Sequence, residues 1–293
     1  MGDPIYSSTR RMAKASTLGY HTKSKDEIFV QNKKARIHES MMPSKAILRE
    51  SRDSDNHPNS FPIIFGLDLT GSMGEIPHYL VKNGLPHIME GIIDAGVPDP
   101  QILFLGIGDH ETDNYPLQVG QFESGDEELD MWLTRTYIEG GGGANDGESY
   151  SLAWYFASEH TEIDSFEKRG QKGLIFTIGD EPCLLNLPSN AINEIMGVGA
   201  QAGFSDVELL EKAREKYDVY HLHMMEGWAG RRSLPYWEKL LGQNCIKVDD
   251  QTQAAKAIVE IVTRHAKEGV VNVSTNNVIT DTDKEKEDTI EIL

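Results

Sequence analysis

Residues 61–75, FPIIFGLDLTGSMGE, constrain this chain more than any other stretch. The apolar run 62–67 has the length of a strand buried on both faces, and it stops abruptly on Asp68. Gly71 and Gly74 then allow a sharp turn into a helix. Asp68, Thr70 and Ser72 stand at i, i+2 and i+4, so a tight loop brings one carboxylate and two hydroxyls toward one point. Such hard oxygen donors suit a divalent cation, and the carboxyl end of a parallel strand is where open α/β sheets hold their ligands.

Strand and helix signals alternate after this stretch. Residues 101–107, 173–178, 219–224 and 245–248 read as strands, and 116–122 alternates apolar and polar as a half-exposed strand does. Helical spacing marks 75–91, with Pro77 in its first turn, and then 127–137, 146–160, 205–217, 234–241 and 251–265. The segment 184–203 is ambiguous. This order predicts a three-layer, doubly wound α/β fold with a mostly parallel sheet covered on both faces.

Asp68-Leu69-Thr70-Gly71-Ser72 resembles the Asp-x-Ser/Thr-x-Ser signature of von Willebrand factor A domains, whose metal-ion-dependent adhesion site binds Mg²⁺. Three further stretches are similar, in order, to the subgroup found beside alpha-kinases and in hemicentin-like proteins. Residues 103–110, LFLGIGDH, resemble its second-strand motif; 139–149 resemble its Gly-Gly-Gly-Asp-x-Pro-Glu loop; and 174–182, LIFTIGDEP, resemble its strand ending in Asp-Ala-Pro. The resemblance covers roughly 62–249. It implies that 116–122 is the antiparallel edge strand of such domains.

It also implies a ligand set. Asp68 and Asp180 would act mainly through waters and Thr70 and Ser72 directly, with one position open for a partner's carboxylate. The threonine expected in the glycine-rich loop is missing, because Ala144 or Asn145 falls there. Asn145 through its amide oxygen, Asp146 as the nearest alternative, or a water remain for that position. Gly142 and Gly143 would let the backbone approach the ion. Asp109 is either a supporting residue or part of a solvated acidic loop with His110, Glu111 and Asp113.

The function implied is a non-enzymatic, Mg²⁺- or Mn²⁺-dependent module that captures an Asp or Glu of a partner protein. Cytosolic A domains of bacteria and phages are often linked to AAA+ ATPases of the MoxR kind, which makes such an ATPase the first partner expected. Two other classes stay open. One is a metal-dependent phosphoester hydrolase using Asp68, Thr70 and Asp180, with His110 the only histidine near a motif; the other is a structural or virion-assembly component with an unused site. An aspartyl-nucleophile loop is disfavoured because Thr70 replaces its second acid, and 71–74 lacks the leading glycine of a nucleophile elbow. The glycines at 140–143 lack the Gly-Lys-Ser/Thr end of a phosphate-binding loop.

Charge narrows the partners. The net charge is −19, yet residues 1–60 hold 11 Lys/Arg against 7 Asp/Glu, a balance of +4 that leaves −23 for 61–293. So acidic a body argues against general nucleic-acid binding and favours cations and basic partners. Cys183 and Cys245 make neither a disulfide framework nor a zinc site by number or spacing. His221 and His223 share a strand face and read as core histidines in the absence of a third ligand. No apolar run nears the ~20 residues of a membrane span, and no signal-peptide core is present, so a cytoplasmic location is expected. Residues 1–60 read as a polar, basic extension lying over the domain, with a short strand at 28–30 and a helical turn in 44–50. Residues 61–267 form the domain, and 268–293, with 7 acidic against 2 basic residues, an exposed, flexible tail.

Overall fold

The computed structural model describes residues 6–140, 145 and 147–284, with side chains except at Ser72, Gly74 and 268–284. Its strands are β1 (Arg49–Ser51), β2 (Phe61–Asp68), β3 (Pro100–Ile107), β4 (Leu117–Val119), β5 (Thr161–Ile163), β6 (Gly173–Gly179), β7 (Asn186–Leu187), β8 (Phe204–Ser205), β9 (Tyr217–Met224) and β10 (Cys245–Val248). Six of them form the central sheet in the order β10-β9-β6-β2-β3-β4, parallel throughout except for the β3–β4 pair. This is the expected doubly wound α/β arrangement with one antiparallel edge.

The apolar runs explain the layers. Side chains alternate along β2, so Ile63, Phe65 and Leu67 join one core while Ile64 joins the other. Helices Leu85–Asp94 and Gln251–Lys284 cover the first face; Ser151–Glu159, Asp206–Lys216 and Gly227–Leu241 cover the second. Every residue of β2, β3 and β6 is buried, as strands covered on both sides require. The chain leaves β2 toward β3 on one side and later returns to β6 on the other. The carboxyl end of β2 is therefore a topological switch point, and Asp68 ends there.

Several elements differ from the sequence reading. Residues 28–30 are not a strand: they span the junction of helices Lys25–Ile28 and Val30–Lys34, and Ile28 and Phe29 are buried in the first core. Helix Ser8–Leu18, absent from the sequence reading, carries no apolar period because its inward face is thin, consisting of Arg11 and Ala15. Arg11 pairs with Asp130 at 2.8 Å and donates to the Val81 carbonyl, which lets a basic side chain take an inward position that an apolar one would ordinarily fill. Strand β4 is wholly buried instead of half exposed. The 3₁₀ turns Glu39–Met41 and Pro43–Lys45 pack against it, and Gln118 is satisfied by the Tyr137 backbone at 2.6 and 2.9 Å.

The helical segment expected over 75–91 contains a π turn, Leu80–Gly84, just ahead of Pro86. Proline has no N–H to donate to the preceding turn, and the wider turn accommodates that loss. The last helix runs Gln251–Lys284, well past the expected end at 265. No helix of the described residues is long and apolar enough to cross a membrane.

Candidate metal centre

Asp68 closes β2 fully buried, and the turn after it is built on its own carboxylate. Oδ1 accepts from the Thr70 amide at 2.9 Å and the Thr70 hydroxyl at 2.6 Å. Gly71 follows with φ +41°, a conformation that L side chains rarely adopt. Oδ2 accepts from the Tyr150 hydroxyl at 2.6 Å. Tyr150 fits only because residue 179 is glycine: a Cβ there would lie 1.8 Å from the Tyr150 oxygen and 2.7 Å from Asp68 Oδ2.

Asp180 follows Gly179 at the end of β6, the strand beside β2, and is 8% exposed. Its backbone carbonyl accepts from Ser233 Oγ, and the next carbonyl, of Glu181, accepts from Trp237 Nε1 at 2.9 Å. Helix Gly227–Leu241 thereby holds the loop that presents Asp180. His221 stacks on Trp237 with ring centroids 3.5 Å apart, and its Nδ1 pairs with Thr177 Oγ1 at 2.8 Å, so the two strand histidines are core residues beneath the site.

A third carboxylate, Glu148, completes the cluster. The helix expected from 146 begins only at Ser151, because Glu148 is drawn into a bridge with Cys183. The Glu148 amide donates to the Pro182 carbonyl, and the Leu184 amide donates to Glu148, both at 2.9 Å. Glu148 is 5% exposed, and its Oε2 has no hydrogen-bond partner among the described residues. Sequence reading assigned Glu148 and Tyr150 to a helix and gave neither a place in the site. The signal for Glu148 was its match to the final glutamate of the glycine-rich loop motif.

The electrostatics are those of crowded acids. Burial, with the charge of Asp180 added, pushes Asp68 up to about 7 against the hydrogen bonds from Thr70 and Tyr150. Burial, then the charges of Asp68, Asp109 and Asp113, pushes Glu148 up to about 9. Burial and the neighbouring Glu181 raise Asp180 to about 6.

This donor set fits a hard divalent cation. Thr70 sends its hydroxyl proton to Asp68, so the oxygen's lone pairs stay available, and the unpartnered Glu148 oxygen is a further donor. Among the described residues no group of three His, Cys, Asp or Glu side chains is arranged to hold a metal alone, so hydroxyl oxygen would have to complete the set. The Ser72 side chain, Gly142, Gly143, Ala144 and Asp146 lie outside the described residues.

Other expected residues take defined places. Asn145 directs its amide nitrogen to Glu111 Oε2 at 2.9 Å. Asp109 shapes its own loop, accepting from the Glu111 amide at 2.8 Å and the Thr112 hydroxyl at 2.6 Å. His110 pairs through Nδ1 with Ser149 Oγ at 2.7 Å and is kept below the usual histidine range by burial. Cys183 is buried and free, its Sγ accepting from the Ser151 amide at 3.3 Å.

No protein-family profile matches the sequence, and no curated protein is similar to it. Among solved structures the chain is similar to the pilus adhesin SpaC from Lactobacillus rhamnosus GG in its open conformation, at 11% identity and TM-score 0.47 over 77% of this chain. The match spans 31% of the adhesin. Proximal thread matrix protein 1 from the mussel byssus matches at 12% identity and TM-score 0.45, over 71% of this chain and 48% of that one. The conserved hypothetical protein BatB from Bacteroides thetaiotaomicron matches at 19% identity and TM-score 0.42, over 71% of this chain and 99% of that one.

Proposed function

We propose that this chain is a protein-binding module of the von Willebrand factor A kind, whose Asp68 loop holds Mg²⁺ or Mn²⁺ and captures a carboxylate of a partner. The observation that carries this reading is the fully buried Asp68 carboxyl at the carboxyl end of β2, bonded by the Thr70 hydroxyl at 2.6 Å, with Asp180 at the end of the neighbouring strand and the buried Glu148, whose Oε2 has no partner among the described residues, both crowding it. A fold keeps such a cluster at a cost in stability unless a cation relieves it. Asp68 organises the loop through Thr70, Thr70 offers a hydroxyl oxygen, and Glu148 offers a carboxylate oxygen with no other partner. Ser72, Asp180 and a residue of the glycine-rich loop, Asn145 among them, fill out the set in this reading. When bound, the ion supplies an electrophilic point that an outside Asp or Glu completes. An AAA+ ATPase of the MoxR kind is the partner to try first, by analogy of fold.

Titration calorimetry tests the ion: Mg²⁺ or Mn²⁺ should give saturable binding to the wild type and none to Asp68→Ala. A pull-down in Mg²⁺ and in EDTA tests the partner, which should elute with EDTA. A wild type that binds neither ion at millimolar concentration would end the metal reading, and capture indifferent to EDTA would end the carboxylate-bridge reading.

A further inference from the structure

Beside the candidate centre a cavity of about 480 Å³ opens between segment 37–44, the loop leading into β4 and helix Ser189–Met196. That volume falls in the range of ordinary ligand pockets, roughly 300–1,000 Å³. Met42, Tyr115 and Ile195 supply apolar wall, while Glu111, Asp113 and Glu194 supply carboxylates. Among the described residues no lysine or arginine lines it, and burial lowers the pKa of His110, its histidine, which favours the neutral ring. Glu111 also accepts from Asn145, and the His110 amide donates to Ser149 Oγ, on the residue after Glu148, so one loop walls both the cavity and the acid cluster.

We propose that this cavity docks a basic, aliphatic segment of a protein partner, a lysine or arginine meeting the carboxylates while a leucine-like side chain covers the apolar wall. Charge complementarity selects this occupant. An acidic segment would meet three like charges, and a purely apolar one would strip water from the carboxylates without replacing it. The inference stands on the cavity and does not depend on a cation at Asp68.

The test is fluorescence anisotropy in EDTA with labelled peptides of about twelve residues. One alternates leucine with arginine, one leucine with glutamate and one serine with arginine. The leucine–arginine peptide should bind, and the other two about tenfold more weakly or less. Glu194→Lys and Glu111→Lys, both at exposed positions, should each weaken it about fivefold. Glu260→Lys, on the helix covering the opposite face of the sheet, should not. Equal binding of the leucine–glutamate peptide, equal loss from Glu260→Lys, or no binding of any peptide would overturn the proposal. So would self-association of the wild type that Glu194→Lys abolishes, which would give the cavity to a second copy.

Discussion

Asp164 and Asp68 are both buried aspartates close to the central sheet, one in the ion-pair cluster leading into β2 and the other where β2 ends. Burial alone would raise Asp164, but Lys168 at 2.6 Å, the Asp53 amide at 2.9 Å and Arg52 at 2.9 Å outweigh it and hold the carboxyl down at about 2. Asp53 is tied in turn to Arg169 at 2.6 Å and to Ser60, the residue before the strand. At the other end Asp68 receives only hydroxyl and amide protons and rises to about 7. The same residue type thus strengthens one end of the sheet and burdens the other. Parallel α/β sheets commonly divide their ends this way, with stabilising contacts at one edge and ligand sites at the carboxyl edge.

The largest effect expected from breaking this contrast is at the paired end. Asp164→Ala should lose about 3 kcal/mol in chemical denaturation, near the lower bound for a buried charge pair because Arg52 and Lys168 reach solvent. A loss below the error of the extrapolation would show the cluster to be decorative. At the crowded end Asp68→Ala should do the reverse, leaving metal-free stability equal to or above that of the wild type. The wild type should gain about 2.7 kcal/mol in Mg²⁺ at one hundred times the dissociation constant, and the variant nothing. Melting curves across a Mg²⁺ series decide this, and a full response from the variant contradicts it.

The two ends should also answer pH in opposite senses. A carboxyl whose folded pKa exceeds its unfolded value keeps a proton that the unfolded chain has released, so stability falls as pH rises through that interval. For Asp68 the interval runs from the usual carboxylate range to about 7. With about 1.4 kcal/mol per pKa unit, Asp68 by itself should cost the metal-free protein on the order of 2 kcal/mol between pH 5 and 7, and the raised Glu148 and Asp180 add to the loss in the same direction. Saturating Mg²⁺ should flatten that slope. Asp164 contributes stability that is fully present above its unfolded pKa and disappears as pH falls through about 2. Urea titrations at each pH, with and without Mg²⁺, read both limbs, and a flat metal-free profile would remove the crowding argument. The smallest effect is at Tyr150. Its change to Phe removes one hydrogen bond to Asp68, so stability near neutral pH should drop by about 1 kcal/mol and the metal response should persist.

What was legible in the sequence follows from how far each signal reaches. The runs 62–67, 101–107 and 173–178 announced β2, β3 and β6 almost to the residue, because a strand buried on both faces writes its environment into every position. Asp68 and Asp180 were legible because each ends such a run. Glu148 and Tyr150 were not, since their roles arise from a bridge to Cys183 and from the space left by Gly179, contacts made across 29 or more residues of chain. The buried face of β4 was equally hidden, because its cover comes from residues 39–45, far upstream.

The N-terminal helix bears on how the protein is made. Arg10 and Arg11 find their partners, Asp126 and Asp130, more than a hundred residues downstream, the Arg10 bond joining positions 116 apart. At about 5–20 residues per second, the first helix waits roughly ten seconds on the ribosome before its docking surface exists. Helix Ser8–Leu18 therefore cannot dock until well after it has been made, and long-range closures of this kind slow folding. Chaperones that shield nascent chains would meet these basic residues while they were still exposed.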